Sequence, residues 1–217
     1  MDLKLYGYWR GTSPYRVRIA LNLKGLPFEN SPVNLLASEQ HKAAYREINP
    51  QRLTPALIVD GRVLTQSLAI MEWLEEVQPQ PPLLPADLFD RQTVRAMAAI
   101  VATDIHPLNN MRVTRALEAM KVGEADRQTW IQRWINDGFQ TLEPMVAANG
   151  EGWAFGDQPG LADCCLIPQV YSANRFKVDM APYPALRAVA ERAAEHPAFA
   201  AAHPDRQPDA PAAPPGA

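Results

Sequence analysis

The 217 residues predict an α/β unit followed by an all-helical one. Residues 1–80 alternate strand-like and helix-like hydrophobic patterns, whereas from about 87 to 203 strand signals vanish and apolar residues recur at spacings of three and four. Between them lies QPQPPLLP at 78–85, a proline-rich connector. The order in the first unit reads βαβαββα.

Leu3, Leu5 and Gly7 share one side of a short opening strand. Ser13-Pro14 then reads as an N-cap with proline at the first helical position, and the helix runs to Gly25, a left-handed stop. Val17, Ala20, Leu21 and Leu23 form its apolar face, and Lys24 suits its last turn. A second strand is expected over 28–33 and a weaker helical segment over 39–46. Asn49-Pro50 and Thr54-Pro55 frame a turn before the strand at 56–59, and Asp60-Gly61 is a two-residue hairpin turn into an antiparallel strand at 62–65. The segment from Gln66 to about Glu76 presents Leu68, Ala69, Met71, Trp73 and Leu74 as a helix.

Beyond the connector, Val94, Met97, Ala98, Val101, Ile105 and Leu108 bury one face of a long helix while Arg91, Arg95 and Asp104 stay polar. His106-Pro107 interrupts it, since proline forfeits a backbone hydrogen bond and bends a helix. Further helices fit about 124–148, 161–173 and 183–195. Trp73, Trp134 and Trp153 read as core. The last stretch, residues 204–217, is too rich in proline and too poor in large apolar groups to pack, and reads as a loose tail.

Composition narrows the function. Hydrophobic residues are 47% and charged residues 21%, with a net charge of −3, so the chain lacks the cationic field that binds phosphate backbones and no nucleic-acid partner is expected. No run of apolar residues is long enough for a membrane span and no secretory signal opens the chain, which places it in the cytoplasm and off membranes. The cysteines number two, Cys164 and Cys165, and as neighbours they suit neither a useful disulfide loop nor a metal cage. Both read as inert packing groups.

Longer stretches carry a resemblance over nearly the whole chain. YRVRIALNLKG at 15–25, PVNLL at 32–36, TQSLAIMEWLEE at 65–76, DIHPLNN at 104–110 and NRFKVDMAPYP at 174–184, with Thr54-Pro55 before a strand, are similar to the zeta class of cytosolic glutathione transferases, the maleylacetoacetate isomerase family. The resemblance implies a thioredoxin-like glutathione-binding domain at 1–80, an all-helical substrate domain at 87–203, glutathione as cofactor, no metal, and a homodimer. It also implies an activity: a thiolate adds to the double bond of maleylacetoacetate, rotation follows, and elimination leaves fumarylacetoacetate, a step in aromatic catabolism. Maleylpyruvate isomerisation, and transfer of glutathione to electrophiles such as α-halo acids, need the same site. A binding module that has lost chemistry is a third alternative, suggested by departures at Gly11 and Ser13.

Glutathione is a tripeptide anion. Gln66-Ser67 offers side-chain and backbone donors at a helix N-terminus, where about half a positive charge accumulates, which suits its γ-glutamyl carboxylate. Ser67 as a mere helix cap is the alternative. By the resemblance, Thr54 lends backbone hydrogen bonds to the cysteinyl part, Pro55 is cis, and Gly11 and Gln40 join the glutathione-binding set. Thr12 and Ser13 fall where the family carries Ser-Ser-Cys, with Gly11 in place of the first serine and Pro14 removing one amide. Thr12 is therefore the first candidate for the hydroxyl that faces sulfur; Ser13 is the second, with the N-cap as its alternative. Arg10 follows an apolar strand at the loop where the thiol is expected and reads as catalytic and substrate-binding. The resemblance places Arg112 and Arg175 around the pocket of an unsaturated diacid, where solvated surface is the alternative for each. Asn110 joins them, with capping of freed carbonyls as its alternative. His106 is directed at glutathione's glycyl carboxylate or is a satisfied core histidine. In Gly160-Leu161-Ala162-Asp163, glycine stands where the family's capping box has a hydroxyl, so only the Asp163 half of the box remains and Asp163 reads as a folding residue.

Overall fold

A computed structural model describes residues 1–211, which divide into two compact units: residues 1–81 together with those from His196 on, and residues 82–195. The first unit opens with β1 (Leu3–Gly7), α1 (Thr12–Leu23) and β2 (Glu29–Pro32). A short 3₁₀ turn at Glu39–His41 and α2 (Ala43–Ile48) follow, then β3 (Ala56–Val59), β4 (Arg62–Thr65) and α3 (Ser67–Val77). The strands form one sheet in the order β2-β1-β3-β4, with β1 parallel to β2 and antiparallel to β3, and β3 antiparallel to β4. This is the thioredoxin-like α/β arrangement that the strand order βαβαββα implies. Asp60 and Gly61, at φ 47° and 83°, make the tight hairpin turn. Pro32 is accommodated because β2 is an edge strand.

The helix start differs from the Ser13-Pro14 expectation. Gly11 (φ −67°, ψ 125°) is the N-cap, and Thr12, Ser13 and Pro14 are the first three helical residues. Amides of the first turn have no intrahelical acceptor, so proline forfeits nothing at the third position. The chain turns before the helix, where Gly11 N–H donates to Tyr8 O at 2.9 Å.

Burial of α1 also goes beyond a one-sided apolar face. Arg16 and Arg18 are each 1% exposed and Lys24 is 4% exposed. Lys24 Nζ donates to Glu75 Oε2 and to Pro81 O, closing the end of α1 against the end of α3.

Residues 204–211 depart from the loose-tail expectation, and 196–203, expected in the helical domain, cluster with the first unit. An added helix, α10 (Pro197–Ala202), packs on α1, and a 3₁₀ turn spans Pro204–Arg206. Gln207 is 9% exposed: its Nε2 donates to Ala201 O and His203 O, and its Oε1 accepts from Asn30. Buried Phe199 anchors α10, and past it polar side chains supply the anchoring. Residues 212–217 of the expected tail lie outside the described residues.

The second unit is helical. To keep chain order, its helices are α4 (Leu88–Ala99), α5 (His106–Asn109), α6 (Met111–Ala119), α7 (Glu124–Asn149), α8 (Leu161–Arg175) and α9 (Pro184–Glu195). Asp87 caps α4 by accepting from Phe89 N and Asp90 N. The bend expected at His106-Pro107 is spread out: the ladder widens into a π-helical stretch at Ile100–Ile105, and the backbone leaves helical geometry at Asn110, with ψ 146°. No helix among the described residues is long and apolar enough to cross a membrane.

At the start of α8, Gly160 N–H donates to Asp163 Oδ2 at 2.9 Å and Ala154 N–H to Oδ1 at 2.7 Å. Glycine is required at 160 because a Cβ there would lie 2.8 Å from Leu83 O, which accepts from Leu161 N. Burial raises the Asp163 pKa from 3.8 to about 6, against the lowering effect of its backbone donors. A folded-state pKa above the unfolded one means that folding favours the protonated form. The contribution of Asp163 to stability is therefore full below about pH 4 and is lost as pH rises through about 6. In urea unfolding of the wild type against Asp163→Asn, the wild-type advantage should shrink by roughly 2–3 kcal/mol between pH 4 and 7. The asparagine's missing second acceptor adds only a pH-independent offset.

Candidate active site

Sheet register gathers three loops. Tyr6 pairs with Ala56, and Ala56 with Thr65, so the chain leaving β1, the chain entering β3 and the chain leaving β4 meet at one end of the sheet. The first carries Arg10, Gly11, Thr12 and Ser13; the second carries Thr54-Pro55, joined by a cis peptide bond; the third carries Gln66-Ser67. Thr12, Ser13 and Thr54 are half-buried and Pro55 is buried.

Gln66 sits at φ 68° and ψ 112°, a conformation that non-glycine residues seldom adopt. Its Nε2 donates to Gln51 Oε1 at 2.9 Å. Ser67 is the first residue of α3, not its cap, and no side chain caps that helix. Instead the Ser67 hydroxyl accepts from Arg16 Nη1 at 3.3 Å, which ties the start of α3 to α1. Gln40 lies in the 3₁₀ turn, 6% exposed, and its Oε1 has no hydrogen-bond partner among the described residues.

No side chain caps α1 either, and no hydrogen bond among the described residues engages the Thr12 hydroxyl. The Arg10 guanidinium lies 5.2 Å from the Trp9 ring centroid and 5.9 Å from that of Tyr8, so aromatic faces steady it. Glycine at 11 has a steric cause: a Cβ there would stand 3.1 Å from Pro14 Cδ and 3.3 Å from Pro14 Cγ and Tyr8 O. Gly11 and Pro14 are thus one adjustment, not two.

The other expected site residues belong to the helical unit. His106 opens α5 and is half-exposed. Asn110 caps α6, its Oδ1 accepting from Arg112 N at 3.0 Å, which leaves the amide nitrogen as its donor. Arg112 and Arg175 are exposed, the latter with its guanidinium 4.3 Å from the Phe176 ring centroid. Sequence reasoning passed over Arg16, Arg18 and Asp209, which touch the first set of loops. The arginines had a signal, two cations within the otherwise apolar run of α1; Asp209, in the proline-rich end, had none.

Models of the glutathione S-transferase N-terminal and C-terminal domains match residues 12–77 and 128–192. The chain is 49% identical over 214 residues to the maleylacetoacetate isomerase of Pseudomonas aeruginosa, covering 97% of this chain and 100% of that one. A holo maleyl pyruvate isomerase, described as a bacterial zeta-class glutathione S-transferase, superposes with a TM-score of 0.94 at 49% identity, covering 96% of this chain and 100% of that one. The maleylacetoacetate isomerase of Anaeromyxobacter dehalogenans 2CP-1, with glutathione bound in its active site, superposes with a TM-score of 0.88 at 48% identity, covering 97% and 98%. The chain belongs to the glutathione S-transferase family, in its zeta class.

One prediction follows from the crowding at Gly11. Gly11→Ser should destabilise the protein by about 1–3 kcal/mol in urea unfolding, as overpacking does. Adding Pro14→Ser should recover most of that loss.

Proposed function

We propose that this chain is a glutathione-dependent cis-trans isomerase that converts maleylacetoacetate to fumarylacetoacetate in aromatic catabolism, working in the cytoplasm as a homodimer. The observation that carries this reading is 49% identity over essentially full length to a maleylacetoacetate isomerase. When bound, glutathione supplies a reversible nucleophile whose addition to and loss from a cis double bond leaves it trans.

This chain's residues fit that cofactor. The uncapped start of α3, with the Gln66 and Ser67 donors, suits a carboxylate, because amides and dipole there favour negative charge. The unpartnered, buried Gln40 Oε1 suits an N–H of the tripeptide. Thr54 would pair its backbone with the cysteinyl part, and Gly11 would let the chain pass close to it. His106 would meet the glycyl carboxylate.

The thiol's pKa is the chemical requirement. A free thiol titrates near 8.5, and lowering that by two units takes about 2.7 kcal/mol of preferential anion stabilisation. Thr12, with its uncommitted hydroxyl, and the amides that open α1 would supply it; Ser13 stands second. Pro14 removes only the third of those amides. Arg10 would hold a carboxylate and the negative charge that develops on the keto acid, with Arg112, Arg175 and the Asn110 amide around the second carboxylate. Opposite charges about 4 Å apart at an effective dielectric near 20 attract by about 4 kcal/mol before desolvation. Arginine adds bidentate geometry.

Maleylpyruvate is the second reading, favoured by the TM-score of 0.94 to a maleyl pyruvate isomerase. Turnover of the two acids by purified protein with glutathione decides between them. Activity on neither, or accumulation of a stable glutathione adduct without isomerised product, overturns the isomerase reading.

Thr12→Ala should raise the pKa of bound glutathione, read from thiolate absorbance against pH, and lower kcat at neutral pH by about tenfold. Unchanged turnover with an unmoved thiol pKa removes Thr12 from the mechanism. Arg10→Lys should raise KM for the diacid by about tenfold, because an ammonium lacks the fork that grips a carboxylate.

A further inference from the structure

Past the end of β1, the backbone of Trp9 lies beyond any ladder partner, in the tight turn closed by Gly11 N–H on Tyr8 O. Both of its polar groups are nevertheless engaged by side chains. Trp9 N–H donates to Asp209 Oδ2 at 3.0 Å, from the far end of the chain. Trp9 O accepts from Arg18 Nη2 at 2.8 Å, and the same guanidinium donates through Nε to Ala202 O at 3.1 Å, at the end of α10.

The segment from 196 to 211 is itself tied down along its length. Asn22 Nδ2 donates to Ala198 O at 2.9 Å, and Asn30 Nδ2 to Gln207 Oε1 at 3.0 Å. The rings of Tyr15 and His203 meet edge to face at 6.2 Å. Asp209 is thus held at the end of an anchored strap.

What the strap holds is the platform of Arg10. The Trp9 ring stands 5.2 Å from the Arg10 guanidinium, and Arg10 is the next residue of the same turn. A shift of the Trp9 backbone moves both the side chain and the ring that steadies it. We infer that the carboxy-terminal strap, through Asp209 and in concert with Arg18, positions Arg10 for the diacid substrate, so that Asp209 is a positioning residue for the reaction. This rests on the role of Arg10 proposed above.

The geometry sets the expected pattern. Asp209 lies beyond the apolar core and is half-exposed, so its loss bears on the aim of the turn more than on global stability. Its acceptor is a single oxygen, which an asparagine Oδ1 reproduces.

The test uses the full chain with glutathione. Asp209→Ala should raise KM for the diacid by about tenfold while kcat stays within about threefold. It should weaken binding of the inert dicarboxylate malonate, measured by calorimetry at saturating glutathione, by a similar factor, and accelerate hydrogen exchange at the Trp9 amide. Asp209→Asn should restore all three. Unchanged KM and malonate affinity in Asp209→Ala overturn the inference. So does a loss that Asparagine fails to rescue and that tracks a fall in melting temperature, since that outcome makes Asp209 an anchor of the fold only. Arg10→Lys separates the two levels: if it leaves KM and malonate affinity unchanged, the role of Arg10 falls and the inference with it. If Arg10→Lys weakens both and Asp209→Ala neither, the inference alone falls.

Discussion

Burial of three cations in α1 is the constraint around which the first unit is arranged. Arg16, Arg18 and Lys24 lie almost wholly out of solvent on one twelve-residue helix and its C-cap. Buried charge without polar partners is strongly unfavourable, so acceptors on the segments packed against the helix matter, although Arg16 Nε and Nη2 have no hydrogen-bond partner among the described residues. The partners found are the start of α3 through Ser67, the Tyr8–Gly11 turn and the end of α10 through Trp9 O and Ala202 O, and the end of α3 with the connector through Glu75 and Pro81 O. The loops of the candidate site are thus tied to the helix behind them by single hydrogen bonds from its cations. Removing one cation would release a loop as well as open a hole in the core.

How far the sequence discloses this depends on the range of the interaction. Gly25, Asp60-Gly61, the alternation of β1 and the three-and-four spacing of α7, α8 and α9 are local signals, and those elements form where they are expected, whereas the single long helix expected through Leu108 is broken and α6 was not expected. Ser13-Pro14 has the local chemistry of a cap, yet the helix begins after Gly11, whose N–H closes a turn on Tyr8 O and whose own carbonyl accepts from Tyr15 N. Ser67 is similar. A serine at a helix start ordinarily caps it, and the competing partner, Arg16, lies 51 residues away. The order of 204–211, and the packing of 196–203 on the first unit, lie outside local signals for the same reason. Phe199 and Ala202 are buried where α10 packs on α1, but beyond them the composition lacks apolar bulk, and polar side chains reaching across up to 200 residues of sequence hold the rest.

The helical unit has its own version of this lesson. Pro107 suggested a bend at that point, yet the chain absorbs it over a preceding π-helical stretch, and a glycine on the facing helix makes the room. A Cβ at Gly138 would fall 2.2 Å from Ile105 Cδ1, inside that stretch. Widened turns of this kind disrupt the regular ladder, and they persist where packing from a neighbour fixes them. Here α7 does so, and the outcome is that His106 begins a fresh turn instead of continuing the register of α4.

The departures of Gly11 and Ser13 from the family's Ser-Ser-Cys pattern bear on whether the site can still ionise a thiol, and magnitudes decide this. The requirement is about 2.7 kcal/mol. A hydrogen bond to a charged group contributes about 1.5–3 kcal/mol, and a helix N-terminus about 0.3–1 kcal/mol, rising toward 2 when partly buried. One hydroxyl together with the amides of α1 therefore reaches the requirement without a second serine or a cysteine. Gly11 gives up a side chain whose Cβ would crowd the ring of Pro14, and Pro14 gives up only the third amide of the helix. What the departures cannot remove is the hydroxyl of the first helical residue, because no other uncommitted donor of that strength stands at the opening of α1 among the described residues. On the proposed reading the chemistry of the turn therefore rests on Thr12, the first helical residue, whose neighbour Gly11 sits where a Cβ would crowd Pro14.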